Sequence, residues 1–394
     1  MPSMSEGSLK VRKRDRDRFL AAFLSMLKSK FFNHTPFFLA HAITYGCNSK
    51  CKTCTYWQMS KRTNEDLPTE AVFRLLDEAY DYGMRAYYLF GGEPTIRKDI
   101  GEVVDYARAK GFLTIMNTNG SLLAEKAESL RNLDFAFVSL DYFNEYNDFI
   151  RGRKGAFREV INGIERIREV GDTLITLVTT ISNLNFDAIE PMAKLARDLQ
   201  VGISYNAVEP TIQLNFEEDR TELPLKNYGL SRAQMRFFYK SLLQLKRKGY
   251  PLMETEYMLK HFVEGRSWTC QFPKMFVYVS ADKKIFSCTY DHPYDLNVKE
   301  LVTQVAGELT CTHDHVYDLT QGSFRDYFAS DLYRSEVAKA EKCNMCVRTC
   351  VRGYSYTYDL KPQNFINLLA DAAFLVRQRR QKPGIRRVGN LQDC

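Results

Sequence analysis

From residue 38 onward the chain alternates short apolar runs, rich in β-branched and aromatic residues, with longer amphipathic stretches. The runs Phe38–Tyr45, Ala86–Phe90, Leu113–Asn117, Phe135–Leu140, Leu174–Ile181 and Val201–Tyr205 predict strands. Between them, Thr69–Tyr82, Lys98–Lys110, Leu122–Leu130, Ala156–Val170 and Phe186–Leu199 repeat their apolar positions at helical spacing, and Ser231–Lys248 follows the sixth strand in the same way. Pro68 precedes the first of these helices, and Asn185 is the expected N-cap of the fifth. Six successive β–α units imply a parallel sheet, because a helix must carry the chain back for each new strand. Periodicity alone leaves open a doubly wound sheet and a partial barrel.

The alternation stops near residue 250, where cysteines and aromatics become denser. Four segments are therefore expected: a basic, amphipathic extension over 1–35, a barrel-like core over 36–250, a cysteine-rich α+β extension over 251–360, and an apolar helix with a basic tail over 361–394. Of the 394 residues 45% are hydrophobic, enough to bury a sizeable core and to exclude a disordered chain. No apolar run approaches the ~18 residues of a membrane span, and the polar, then basic, start lacks the features of a signal peptide. The expected location is the cytoplasm. In that reducing setting ten cysteines point to metal rather than to disulfides.

The net charge of +7 is gathered at the ends, in Lys10, Arg12, Lys13, Arg14, Arg16 and Arg18 and in Arg377, Arg379, Arg380, Lys382, Arg386 and Arg387. Residues 1–18 read as a solvated, disordered run. Phe19, Leu20, Phe23, Leu24, Leu27 and Phe31 fall on one side of a helix over Phe19–Phe32, and Phe365, Leu368, Leu369, Ala372 and Val376 form a second stripe. Such helices either pack on the core or lie in a membrane interface, which would make the protein peripheral to a membrane. No RNA-binding motif accompanies the basic ends, so no nucleic acid is expected as a partner.

The candidate chemistry begins at Gly46–Cys54, just after the first strand. Cys47, Cys51 and Cys54 are spaced C-x₃-C-x₂-C. Three thiolates from one loop can wrap a face of a [4Fe–4S] cluster and leave one iron open for a small molecule. A zinc site with a distant fourth ligand and ordinary buried cysteines are the other readings, although zinc modules usually present C-x₂-C pairs. Phe90-Gly91-Gly92-Glu93-Pro94 ends the second strand, and its glycines let backbone approach a ligand closely. Asn117-Thr118-Asn119-Gly120 ends the third, Val138-Ser139-Leu140-Asp141 the fourth, and Ile150-Arg151-Gly152 follows. Further on, Cys270 and Cys288 flank a hairpin pattern over Phe276–Phe286, and Cys343, Cys346 and Cys350 form a C-x₂-C-x₃-C group. By spacing alone that second set fits zinc as well as iron–sulfur.

Together these features, over roughly Phe38 to Tyr205, resemble the radical S-adenosylmethionine (radical SAM) superfamily, and the cysteine-rich part is similar to its twitch or SPASM extensions. The resemblance implies a partial (βα)₆ TIM-like barrel with its site at the C-terminal strand ends. It also implies that Cys47, Cys51 and Cys54 bind the cluster that cleaves S-adenosylmethionine to a 5′-deoxyadenosyl radical, which then takes a hydrogen atom from a substrate. Gly91, Gly92 and Glu93 would receive the amino group of S-adenosylmethionine; Asn117, Ser139, Asp141 and Arg151 or Arg153 would contact its remaining parts. An auxiliary [4Fe–4S] cluster would rest on Cys270, Cys288, Cys343 and Cys346, with Cys311 and Cys350 as spare thiols. A one-electron reductant such as a flavodoxin or ferredoxin would be a partner. Thr53 departs from the family's frequent aromatic residue before the third cysteine, which puts the adenine contact in doubt.

The substrate is less constrained. A lipid or polyprenyl-linked molecule at a membrane is the leading expectation, with peptide or RNA modification as alternatives. The stretch before the first strand is short for a folded leader-binding module, which disfavours a peptide. A non-catalytic electron carrier is disfavoured too, because it needs no amino-acid pocket at Glu93.

Overall fold

Six strands, β1 (Phe38–Thr44), β2 (Ala86–Gly91), β3 (Leu113–Thr118), β4 (Phe135–Ser139), β5 (Leu174–Ile181) and β6 (Gly202–Ala207), run parallel and pair strictly in chain order. The computed structural model describes residues 6–33, 35–54, 56–208, 228–266, 268–286 and 317–343, together with Ser355 and Tyr358. Neighbours in sequence are neighbours in the sheet, so every crossover advances in one direction and the helices gather on one side. A doubly wound sheet would reverse its strand order. This one does not, and the fold is a partial barrel.

Alternation along the strands divides the two faces. Leu39, Tyr87, Leu89, Met116, Ala136, Val138 and Leu177 are buried against α2 (Thr69–Tyr82), α3 (Ile100–Lys110), α6 (Ala156–Val170) and α7 (Ile189–Asp198). The opposite parity, including Tyr88, Phe90, Asn117, Phe137, Ser139, Thr180 and Asn206, is half-buried on the concave face. The expected helix over Leu122–Leu130 keeps only Leu123–Lys126 before the chain turns. Asn185 stands at the expected N-cap position, before the 3₁₀ turn Phe186–Ala188, but its side chain makes no capping bond: its Oδ1 accepts from the Ser182 amide (2.8 Å), while its Nδ2 donates to the Asp141 carbonyl (2.7 Å).

The sheet continues beyond β1. β7 (Phe276–Val279) lies parallel to it, with Phe38 opposite Phe276, and β8 (Lys284–Phe286) returns antiparallel as the hairpin pattern predicts. A two-residue β9 (Tyr317–Asp318) follows.

The N-terminal run is not disordered where the structure describes it. Glu6–Lys28 is one helix, α1. Arg18 is buried and donates from Nη1 and Nη2 to the Asp134 carboxylate at 2.7 and 2.8 Å, and from Nη1 to the Phe112 carbonyl at 2.8 Å. Burial pushes the Asp134 carboxyl up, but Arg18, the Thr114 amide and Arg108 outweigh that and hold it below its ordinary range. Ser25 and Ser29 donate to the carbonyls of Gly83 and Lys274, and Phe19 and Ala22 pack on Ala86 and Leu113. The helix thus docks beneath the N-terminal strand ends by one face. Its other face exposes Leu20 (53%), Phe23 (40%) and Leu24 (53%), and the turn after it, Ser29–Asn33, exposes Phe31 (63%) and Phe32 (82%). Among the described residues no helix is long and apolar enough to cross a membrane. The second apolar stripe and the basic tail, Phe365 to Arg387, lie outside the described residues.

Candidate active site

The first cysteine group sits where β1 runs out. Its loop is held from three directions. Gly92 N–H donates to the Thr44 carbonyl (2.9 Å) and Glu93 N–H to the Gly46 carbonyl (2.7 Å), which lays the Gly91-Gly92-Glu93 backbone directly on the start of the loop. A β-carbon on Gly92 would collide with the Gly46 carbonyl, and Gly91 adopts φ +130° against Thr44. The close approach that these glycines permit is therefore to the chain's own loop. Lys52 N–H donates to the Ile150 carbonyl (2.9 Å), joining the loop to α5 (Tyr146–Arg151). On the third side the Asn119 amide nitrogen donates to Asn48 Oδ1 (2.8 Å) and Ser49 Oγ (3.1 Å).

Glu93 is wholly buried. Its Oε1 accepts from the Thr95 amide (3.0 Å), the Thr95 hydroxyl (2.5 Å) and the Thr118 hydroxyl (2.7 Å), and its Oε2 from the Asn119 amide (2.5 Å). Burial raises its pKa, opposed by these donors. The sequence expectation assigned Glu93 to an amino group of S-adenosylmethionine. In the structure its hydrogen bonds are internal and brace the ends of β2 and β3 against the loop. Asn119, not singled out from the sequence because Asn117 lies on the strand itself, is the residue that completes this brace.

Arg151 Nη1 lies 3.7 Å from Cys51 Sγ, and Arg151 Nε lies 2.8 Å from Asp141 Oδ2. The latter two are paired as charges, although their angle falls short of a hydrogen bond. Asp141 is fully buried, so its carboxyl is raised by desolvation, with Arg151 and the Thr180 amide opposing. Arg153 turns away to Glu159 (2.8 and 2.9 Å) and touches the loop only at the Asn48 carbonyl (3.3 Å). Gly152, at φ +58°, has no room for a side chain beneath the Lys50 carbonyl. Asn117 and Ser139 stand on the concave face, half-buried, near the ends of β3 and β4.

Burial raises Cys47 to about 11 and Cys54 to about 12; Glu93 and Cys51 add to the first shift, Cys51 and Cys47 to the second. Both stay protonated near neutrality, and metal binding would displace those protons. The thiols lie close enough to influence one another, yet among the described residues no three His, Cys, Asp or Glu side chains converge on one ion. Three thiols on one loop are the donor set that a [4Fe–4S] cluster with one open iron takes. Two residues beyond Cys54, the Tyr56 hydroxyl meets that of Tyr278 at 2.8 Å, and Tyr278 packs edge-on against Phe90. The loop thereby opens onto an aromatic part of the concave face.

The second cysteine group is separate. Cys270 N–H donates to the Cys343 carbonyl (3.0 Å), beside Phe37, Phe272 and Phe276 at the start of β1 and β7. Cys288, Cys311, Cys346 and Cys350 lie outside the described residues.

Comparison with known proteins gives this geometry its family. Over 132 residues the chain is 37% identical to the Fe-coproporphyrin III synthase of Methanosarcina barkeri, which covers 33% of this chain and 33% of that protein. Over 167 residues it is 34% identical to the mycofactocin maturase MftC of Mycolicibacterium smegmatis, covering 41% and 42%. The chain thus spans less than half the length of these curated relatives. Likeness of fold extends further. Streptococcus suis SuiB matches with a TM-score of 0.58 over 85% of this chain and 74% of its own, at 14% identity. SuiB is also known bound to S-adenosylmethionine and to its precursor peptide SuiA. Residues 42–196, from the middle of β1 into α7, match the Radical SAM superfamily, so this part of the chain is a radical SAM domain.

Proposed function

We propose that the chain is an enzyme that cleaves S-adenosylmethionine reductively at the Cys47–Cys54 loop and takes a hydrogen atom from a peptide on the concave face. The observation that carries this reading is the loop itself: three thiols at the C-terminal end of β1, braced by Glu93 and Asn119 and opening toward Tyr56 and Tyr278. The cofactors of the radical SAM domain are a [4Fe–4S] cluster and S-adenosylmethionine; bound here, they supply the electron that breaks the sulfonium C–S bond and the radical that results. Cys47, Cys51 and Cys54 would hold three irons and leave the fourth for the ligand. The chain's other residues orient and shelter. Phe90, Phe137, Tyr88 and Tyr278 offer an apolar wall for a side chain, and Asn117, Ser139, Thr180 and Asn206 offer partners for amides. This mixture, with the fold shared with SuiB, which binds a precursor peptide, favours a peptide. Cys270, Cys288, Cys343 and Cys346 would carry an auxiliary cluster, and a flavodoxin or ferredoxin would supply the electron.

After anaerobic reconstitution and reduction, the wild type is expected to form 5′-deoxyadenosine, and a C47A/C51A/C54A variant to fall to background. Undiminished formation in that variant removes the reading. For the substrate, a panel of synthetic peptides covering every side-chain type is scored for faster 5′-deoxyadenosine release and loss of hydrogen by mass spectrometry; no response to any of them removes the peptide.

A second reading, action on a lipid at an anionic membrane, is favoured by the outward apolar face of α1 with Arg16 and Lys28 exposed beside it. It expects the protein to sediment with phosphatidylserine-containing vesicles, and L20S/L24S/F31S to remain in the supernatant. Equal recovery with and without vesicles ends it.

A further inference from the structure

We propose that Arg151, held by Asp141, is a positioning residue that makes the cluster on Cys51 easier to reduce by directing a hydrogen bond and a positive charge at the Cys51 sulfur. This rests on the reading that Cys47, Cys51 and Cys54 hold that cluster. The contact is built rather than incidental. Arg151 Nη1 stands 3.7 Å from Cys51 Sγ, and the side chain is 14% exposed. The Asp141 side chain behind it is 1% exposed, and Oδ2 lies 2.8 Å from Arg151 Nε.

Asp141 is fixed in turn at three atoms. Its Oδ1 accepts from the Thr180 amide (2.8 Å), its own amide donates to Asn147 Oδ1 (2.9 Å), and its carbonyl accepts from Asn185 Nδ2 (2.7 Å). The backbone on both sides of Arg151 is tied to the cysteine loop, at Ile150 by Lys52 and at Gly152 by its fit under Lys50. The guanidinium therefore has little freedom to leave the sulfur. Its charge also reaches the other two thiols, opposing the upward shift of both Cys47 and Cys54.

Reduction adds a negative charge to an iron–sulfur cluster. Hydrogen bonds to its sulfurs and nearby cations stabilise that added charge, most strongly where water is excluded. Arg151 supplies both, and the carboxylate of Asp141 partly offsets its charge. Removing the cation and removing the carboxylate should therefore move the potential in opposite directions. A merely structural contact would not produce that pair of signs.

The test is a redox titration followed by electron paramagnetic resonance on the anaerobically reconstituted full chain, without S-adenosylmethionine. The first cluster is identified as the signal absent from C47A/C51A/C54A. R151Q is expected to shift its midpoint potential to a more negative value and D141N to a more positive one, while R158Q, an exposed arginine paired with Glu145, leaves it in place. If R151Q fails to fold or to bind iron, D141N decides: an upward shift supports the inference, and no shift or a downward one overturns it. Unchanged potentials in iron-replete variants overturn it as well, including the case in which R151Q only weakens the spectral response to S-adenosylmethionine and so marks Arg151 as a ligand contact. A wild type that lacks the signal altogether refutes instead the cluster reading beneath it.

Discussion

His41 lies fully buried in the middle of β1, six residues before the first cysteine, where its Nδ1 meets the Tyr87 hydroxyl at 2.9 Å and its Nε2 has no hydrogen-bond partner among the described residues. Burial, assisted by the positive charge of Arg97, lowers its pKa to about 3. The folded protein thus keeps the imidazole neutral where the unfolded chain, with an ordinary histidine pKa of about 6.5, begins to take up a proton. Above that value the residue adds nothing to the pH dependence. Below it, stability is lost by up to about 1.4 kcal/mol for each pH unit, down to the folded pKa. Between about pH 7 and pH 5 this amounts to about 2 kcal/mol. Unfolding free energies from urea titrations at both pH values should fall by that amount in the wild type and by clearly less in H41Q. A fall of equal size in the two proteins would clear His41 of the effect. Nothing local in Leu39–Ile43 announces such a buried histidine, since the strand pattern records only that alternate residues are apolar. The same limit applied to Glu93. Its G-G-E-P setting drew attention to the right place and Thr95 is a local donor to its carboxylate, but the other donors, Thr118 and Asn119, come from the end of β3.

At the scale of elements, the strands were legible to within a residue or two because the strands of this parallel sheet are dense β-branched and aromatic runs. Leu174–Ile181 and the helices Thr69–Tyr82 and Ala156–Val170 coincide with their expected bounds. The hairpin of β7 and β8 was equally plain, with Lys283 at φ +66° in its turn. Failures came where a distant partner decides. Arg18 looked like one member of a solvated charge run, yet it pairs with Asp134, a residue 116 positions away. Asn185 has the side chain of a helix cap, but the free backbone groups nearest to it are those of Ser182, Thr180 and Asp141, and it serves them instead. The strand order decided the topology. Periodicity could not distinguish a partial barrel from a doubly wound sheet, because both alternate strand and helix and differ only in where the next strand is laid.

Across the described part of the molecule, Cys47 and the pair Cys270 and Cys343 lie toward opposite ends of one strand pair. Cys47 follows the C-terminal end of β1, whereas Cys270 and Cys343 meet beside Phe37 and Phe276, where β1 and β7 begin. β1 has seven residues, and at about 3.3 Å per residue its ends are roughly 20 Å apart. One cluster cannot span that length, so iron bound at both places must occupy two independent sites. The expected iron content of the reconstituted wild type is about eight per chain, with about four remaining in C47A/C51A/C54A, as two four-iron clusters require. A C270A/C343A variant should also retain about four, and with them the capacity to form 5′-deoxyadenosine when reduced with dithionite, since the first site owes nothing to the second for its own ligands. Zinc in place of the second set of irons would leave the count of the wild type at about four and reassign the Cys270–Cys343 site as structural. Loss of all iron in C270A/C343A with the fold intact would be incompatible with separate sites, because the β1–β7 pair holds Cys47 too far from Cys270 and Cys343 for them to share a metal.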